Sequence, residues 1–224
     1  MRAAFVNLLI RFLLLFLCKI DYSNLDRIQK QGPVILIGNH INFLDAPLVF
    51  SRLWPRKFVI IVKLETFENP IFKFLFNTWG GISIKRGTAD FGAYKLALEA
   101  LKQGKILCIA PEGTRTNDAK LIQGNPGIIA IAQKSGVPII PVVSYGAEEF
   151  HDNYKKLIRT KIFFEVGKPF VLNLNSNYPD KAKRKAITDE IMYQMAIILP
   201  EKYRGYYSDL SKLSTNYLKF IDPA

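Results

Sequence analysis

Short, uninterrupted apolar runs alternate along this chain with stretches in which apolar residues recur every three or four positions, which predicts strands and helices in turn. Runs rich in Val, Ile and Phe predict strands at 34–37, 58–62, 82–84, 106–109, 139–143 and 161–166. Helix starts fall between them, at Asp45 with Pro47 in the next turn and at Pro70. Two further helices, 94–103 and 126–135, stop at Gly104 and Gly136, because glycine readily takes the left-handed conformation that closes a helix. A last helix, 181–199, carries Ile187, Ile191, Met195 and Ile198 on one face, a stripe expected to meet the core. Strands alternating with helices make this an α/β chain.

The apolar run at 5–20 is of another kind. Broken only by Asn7, Arg11 and Lys19, it would form a helix roughly 24 Å long at about 1.5 Å per residue. That falls short of the roughly 30 Å hydrocarbon core that a spanning helix crosses. Arg2 precedes it, as in a signal peptide, yet no small-residue cleavage pattern follows. We expect residues 1–20 to be a monotopic membrane anchor in which Arg11 snorkels to the interface, ahead of a catalytic domain at 21–224. A helix packed on the domain, a span and a cleaved signal are the alternatives.

Composition narrows the class. In 224 residues, 49% apolar and 22% charged positions suffice for one packed core. Lys and Arg number 31 against 19 Asp and Glu, and the resulting charge of +12 favours an anionic partner: nucleic acid, an anionic membrane or a phosphorylated substrate. Two basic groups, Lys181, Lys183, Arg184 and Lys185, and Lys155, Lys156, Arg159 and Lys161, are solvated faces or docking surfaces for membrane or carrier protein. Cys18 and Cys108 have no CxxC partner and read as small buried hydrophobes in a reduced compartment. With only His40 and His151 beside them, no metal centre is expected.

Three polar clusters each follow a predicted strand: Gly38, Asn39 and His40; Lys85, Arg86 and Gly87; and Pro111, Glu112, Gly113, Thr114 and Arg115. If the strands run parallel, all three meet beyond their carboxyl ends, where open α/β sheets bind ligands. His40 and Asp45 would be turned about 140° apart on one straight helix. If His40 stays in the loop and Asp45 opens the helix, the carboxylate can orient one imidazole nitrogen and leave the other as a base. Taken singly, His40 could be an ordinary loop histidine and Asp45 a helix cap. Arg86 and Arg115 can grip a phosphate through paired N–H donors, with Glu112 either holding such an arginine or accepting from a substrate hydroxyl, although each taken singly would be a surface salt bridge.

In order and spacing, NHINFLD, GGISIKR, PEGTR and VPIIPV resemble the four motifs of the glycerolipid acyltransferases similar to bacterial 1-acylglycerol-3-phosphate acyltransferase. The resemblance covers about residues 32–143, and the ending LPEKYRGYY also looks like a tail of some bacterial members. It implies a single domain with a central mixed, largely parallel sheet flanked by helices, glycerol-3-phosphate acyltransferase-like, after a short apolar N-terminal helix. His40 would be the catalytic base and Asp45 its partner. Arg86, Glu112, Gly113, Thr114 and Arg115 would bind the glycerol phosphate, with Asn39, Pro111 and Pro138 supporting the motifs. The fourth motif, around Pro138 and Pro141, would be a buried strand shaping the substrate pocket. Two positions depart from the pattern: Ala110 stands where the family often has Phe, and Asn125 where it often has Lys.

The resemblance further implies transfer of an acyl group from an acyl thioester, acyl-CoA or acyl carrier protein, to the sn-2 hydroxyl of 1-acylglycerol-3-phosphate. No cofactor is implied. The partners expected are the lipid bilayer, a lysophospholipid acceptor and the thioester carrier, not nucleic acid, with the protein monotopic or peripheral on the cytoplasmic face of the cell membrane. Another acceptor, such as glycerol-3-phosphate, another lysophospholipid or a glycolipid precursor, is the rival within the family, and a non-catalytic membrane-binding scaffold the rival outside it.

Overall fold

The computed structural model describes residues 2–85, 90–116, 118–174 and 177–222. Its elements are α1 (Arg2–Leu17), β1 (Cys18–Asp21), β2 (Val34–Ile37), α2 (Asp45–Leu53), β3 (Phe58–Lys63), α3 (Pro70–Thr78), β4 (Gly81–Ile84) and α4 (Phe91–Lys102). There follow β5 (Ile106–Ile109), α5 (Gly127–Ser135), β6 (Ile139–Tyr145), α6 (Phe150–Lys155), β7 (Thr160–Val166), β8 (Phe170–Leu172), α7 (Lys181–Ala196) and β9 (Leu218–Phe220). The strands form one sheet in the order β1-β7-β6-β2-β5-β3-β4, with β8 joined to β6 and β9 to β8.

From β6 to β4 every neighbouring pair is parallel, so the loops after β2, β4 and β5 leave from the same edge. The sheet is mixed because β7 runs antiparallel to β6, and β8 antiparallel to both β6 and β9. Helices cover both faces of the middle strands, which is why β2 is buried along its whole length and its sequence, VILI, has no polar alternation. Farther out, β7 alternates: Ile162 and Phe164 are buried while Lys161 and Phe163 face solvent. Each predicted strand has a counterpart here. The three-residue strands β8 and β9 are too short to show a period.

Local chemistry sets the helix ends. Asn69 accepts from the N–H groups of Ile71 and Phe72 ahead of Pro70, Asp90 accepts from Ala93, and Asp180 from Lys183. Gly136 closes α5 at φ +64°. The stripe on α7 is buried at Ile187, Ile191 and Met195, but the helix ends at Ala196, short of Ile198. Its other faces are covered too, because the carboxyl-terminal segment wraps α7. Buried Glu190 accepts from Ser214 Oγ at 2.7 Å and from the N–H groups of Asn216 and Tyr217 at 2.8 and 2.9 Å.

Two expectations for the amino-terminal run are corrected. The helix ends at Leu17, and Cys18, Lys19 and Ile20 enter β1, paired in parallel with β7. Arg11 does not snorkel: its Nε donates to the Ser51 carbonyl at 2.6 Å and Nη2 to that of Arg52 at 3.2 Å, satisfying carbonyls at the carboxyl end of α2. Asn7, which is buried, accepts from Trp79 Nε1 at 3.1 Å. Both polar residues therefore face the protein and leave an outward face of Phe5, Leu8, Leu9, Phe12, Leu13, Leu15 and Phe16, all exposed. Among the described residues no helix is long and apolar enough to cross a membrane.

Candidate active site

Beyond β2 the chain crosses closely over β6: a Cβ on Gly38 would stand 2.8 Å from the Val142 carbonyl oxygen. Asn39 is buried and replaces the ladder that ends there, its amide donating to Ser144 O at 2.8 Å and accepting from Ser144 N at 2.9 Å. His40 is then gripped by the loop after β5. Its N–H donates to Glu112 Oε2 at 2.9 Å and its carbonyl accepts from Thr116 N at 2.8 Å.

Residues 41–44 turn the chain back, so that Asp45 at the head of α2 meets the imidazole with Oδ2 2.6 Å from Nδ1. The same oxygen accepts from the N–H groups of Ile41 and Asn42 at 2.9 and 3.1 Å, so Asp45 braces the preceding turn and does not cap the helix behind it. Oδ1 is buried without a hydrogen-bond partner among the described residues. A carboxylate in this position pairs with the tautomer that carries its proton on Nδ1, which turns the Nε2 lone pair away from Asp45. Such an arrangement could serve as an oriented base. Its single carboxylate also lies in the first turn of a helix, where the backbone dipoles favour negative charge.

Glu112 has a different place from the one expected. It is 3% exposed, and besides His40 N it accepts from Ile122 N at 3.1 Å on Oε1. Both oxygens are thus engaged by backbone donors from two loops, so Glu112 braces one against the other. Burial pushes its carboxyl up to about 7, against the opposing pull of the bonds from Ile122 and His40. Gly113, at φ +70°, turns the chain immediately after it. Pro111 is buried and its carbonyl accepts from Asn125 N at 2.8 Å, while the Asn125 side chain donates to the Glu112 carbonyl at 3.0 Å. Asn125 therefore serves the loop's geometry.

Thr114 and Arg115 are exposed at the rim of a cavity of about 1310 Å³ that also contains His40, Asp45 and Gly113. From this polar end the cavity continues along β3, α3 and α4 between Ile60, Phe72, Leu75, Phe76 and Tyr94. Arg86, expected to join Arg115, lies outside the described residues. Pro138 stands at the opposite end of β6, where its carbonyl accepts from Ile35 N, and the lining from that strand comes from Val142 and Ser144. Cys108 borders the cavity with its thiol pushed far up by burial, and Cys18 is likewise buried.

Sequence reasoning missed what holds this loop from behind. The tail that continues from α7 clamps residues 121–124: Leu121 N donates to Tyr203 O, Tyr206 N to Leu121 O, and Gly124 N to the Tyr207 hydroxyl at 3.1 Å. Gly205, at φ +50°, comes so near that a Cβ there would sit 2.2 Å from the Leu121 carbonyl oxygen. The only signal in the sequence was the YRGYY string itself, whose glycine and tyrosines have no periodic role.

Residues 19–145 match the family described as Acyltransferase. Relatives include a 1-acyl-sn-glycerol-3-phosphate acyltransferase of Borreliella burgdorferi, 31% identical over 134 residues, covering 59% of this chain and 53% of that protein. A lyso-ornithine lipid O-acyltransferase of Pseudomonas aeruginosa is 34% identical over 115 residues, covering 50% and 43%. The matched stretch thus spans about half the length of these relatives. Among solved structures, the 1-acyl-sn-glycerophosphate acyltransferase of Thermotoga maritima superposes with a TM-score of 0.61 at 22% identity, covering 84% of this chain and 76% of that one, and so shares the fold. The motifs at His40 and Glu112 both lie inside the matched segment, and the chain belongs to the acyltransferase family.

Proposed function

We propose that the chain transfers a fatty acyl group from an acyl thioester, carried by coenzyme A or acyl carrier protein, to the sn-2 hydroxyl of 1-acylglycerol-3-phosphate, giving phosphatidate for phospholipid synthesis. The observation that carries this reading is the oriented base His40, partnered by Asp45 at 2.6 Å, at the polar end of a long apolar cavity. His40 Nε2 would take the proton of the acceptor hydroxyl as its oxygen attacks the thioester carbonyl. The tetrahedral oxyanion collapses by breaking the C–S bond, and the thiolate recovers the proton from the imidazolium. With a thiol pKa near 8.5 the leaving group needs little acid help, so a base contribution of roughly 10² to 10⁴-fold is the main task of the dyad.

Arg115 and Thr114 at the rim, with Arg86, are the groups proposed to hold the acceptor phosphate. The apolar branch suits an acyl chain, and the names of several relatives support the acceptor. The outward face of α1 supports a monotopic or peripheral seat on the cytoplasmic face of the membrane, where both lipid substrates partition. The reaction so written uses no metal or prosthetic group, and the basic charge is assigned to lipid phosphate and not to nucleic acid. A second acceptor class is favoured by one relative, named for acylating lyso-ornithine lipid.

The test is acyl transfer from a labelled acyl thioester to lysophosphatidate by the purified chain beside His40→Ala. Phosphatidate formed by the intact chain alone is the expected result. Full turnover by a folded His40→Ala variant would reject the mechanism, and transfer only to lyso-ornithine lipid would reject the acceptor.

A further inference from the structure

Helix α6 ends in an unusual way. Ile158 N donates to Asn153 O and Leu157 N to Tyr154 O, the hydrogen-bond closure that places one residue in the left-handed region, and that residue is Leu157, at φ +56°. Glycine fills such positions with the least strain. Here a leucine holds one while its surface is 93% exposed, so its side chain gains nothing from the protein's own core. Tyr154 and Ile158 beside it are 57% and 53% exposed. Around these three apolar side chains stand Lys155, Lys156, Arg159 and Lys161, all exposed, with Asp152 and Glu149 a turn or more back.

The tip is tied to α1. Arg159 donates to the Cys18 carbonyl from both Nε and Nη2, at 3.2 and 2.6 Å, at the point where α1 gives way to β1. An apolar point with a cationic collar is therefore tied to the carboxyl end of α1, the helix that carries the exposed apolar face. We propose that the loop from Tyr154 to Lys161 is a second membrane contact, inserting Leu157 and Ile158 below the headgroups of an anionic bilayer while the four cations bind lipid phosphate. The proposal rests on the membrane seat proposed above for α1. Continuity with that face selects a bilayer over an acidic carrier protein, and the charge selects anionic lipid.

The test is sedimentation of the full chain with limiting phosphatidylglycerol–phosphatidylcholine vesicles, beside pure phosphatidylcholine vesicles and with Tm as a second readout. Leu157→Gly removes the apolar tip and relieves the backbone, so vesicle affinity should fall roughly tenfold while Tm holds or rises. Those opposite signs are what a merely structural leucine would not give. Changing both Lys155 and Lys156 to Gln should weaken binding to the anionic vesicles by roughly fivefold per lysine and leave pure phosphatidylcholine binding nearly unchanged. Unchanged affinity in Leu157→Gly overturns the proposal. If Leu8→Gln in α1 does weaken binding in that case, the membrane seat survives without the loop, and if it too has no effect, both fall. Slower transfer from acyl carrier protein by the lysine variant, with vesicle affinity intact, would also overturn it and assign the loop to the carrier.

Discussion

Asp45→Asn separates the charge of the dyad from its geometry. Oδ2 of Asp45 accepts from Nδ1 of His40 and from the N–H groups of Ile41 and Asn42, while Oδ1 has no partner among the described residues. In the amide, the carbonyl oxygen must occupy the Oδ2 position, because an NH2 group there would face three donors. The imidazole then keeps its Nδ1 proton and its orientation, and what disappears is the negative charge beside the imidazolium that forms during transfer. For opposite charges about 4 Å apart at an effective dielectric near 20, that attraction is roughly 4 kcal/mol, which corresponds to roughly a 10³-fold loss of rate at 1.36 kcal/mol per tenfold. The NH2 left at the Oδ1 position is buried without an acceptor, so the fold should lose about 1–3 kcal/mol as well. The assay is kcat/KM for acyl transfer at a temperature well below both melting transitions, with Tm measured in parallel. Adding Asp45→Asn to His40→Ala should slow the reaction no further, since Asp45 acts through the imidazole. A loss of less than about tenfold in the single variant, or a full additional loss in the double, would refute the account of the dyad.

Arg11→Leu makes α1 more apolar yet removes two charged hydrogen bonds to the carbonyls of Ser51 and Arg52; stability should fall by about 1.5–3 kcal/mol in denaturant titration, and an unchanged midpoint would return Arg11 to a lipid-facing role. Gly205→Ala sets a Cβ against the Leu121 carbonyl from a left-handed backbone position. Tm should drop and acyl transfer should drop with it, by displacement of the loop that carries Ile122 to Glu112, whereas full activity would show that loop to be independent of the tail. Glu112, raised to about 7 by burial, holds in the folded state a proton the unfolded chain releases above about 4.5. Its contribution to stability is therefore present below that lower value and lost as pH rises through about 7, so the Tm difference between the intact chain and Glu112→Gln should shift in the variant's favour between about pH 5 and pH 8. A constant difference across that range would contradict the burial argument.

The middle of the fold was legible because its strands are buried on both faces and its helices on one. VILI, ILCI and the run through Val142 and Val143 read as strands covered on both faces, though their direction had to come from the tertiary structure, and the ends at Pro70 and Gly136 are local chemistry that needs no tertiary partner. The five-residue spacing of His40 and Asp45 implied a turn between them, since a straight helix would have separated the pair. Where a side chain's role depends on what lies across space, the residues gave no such indication. Glu112 looked like a partner for arginine or substrate, but two backbone N–H groups, one of them ten residues on, enclose it. Arg11 looked like a charge to be brought to the lipid surface until α2 presented its last carbonyls, forty residues distant, to the same side chain. Hydrophobic period and capping act within a few residues and are written into the chain; the satisfaction of a buried carboxylate or an unpaired carbonyl is settled only when distant segments meet, and that the tertiary structure alone decides.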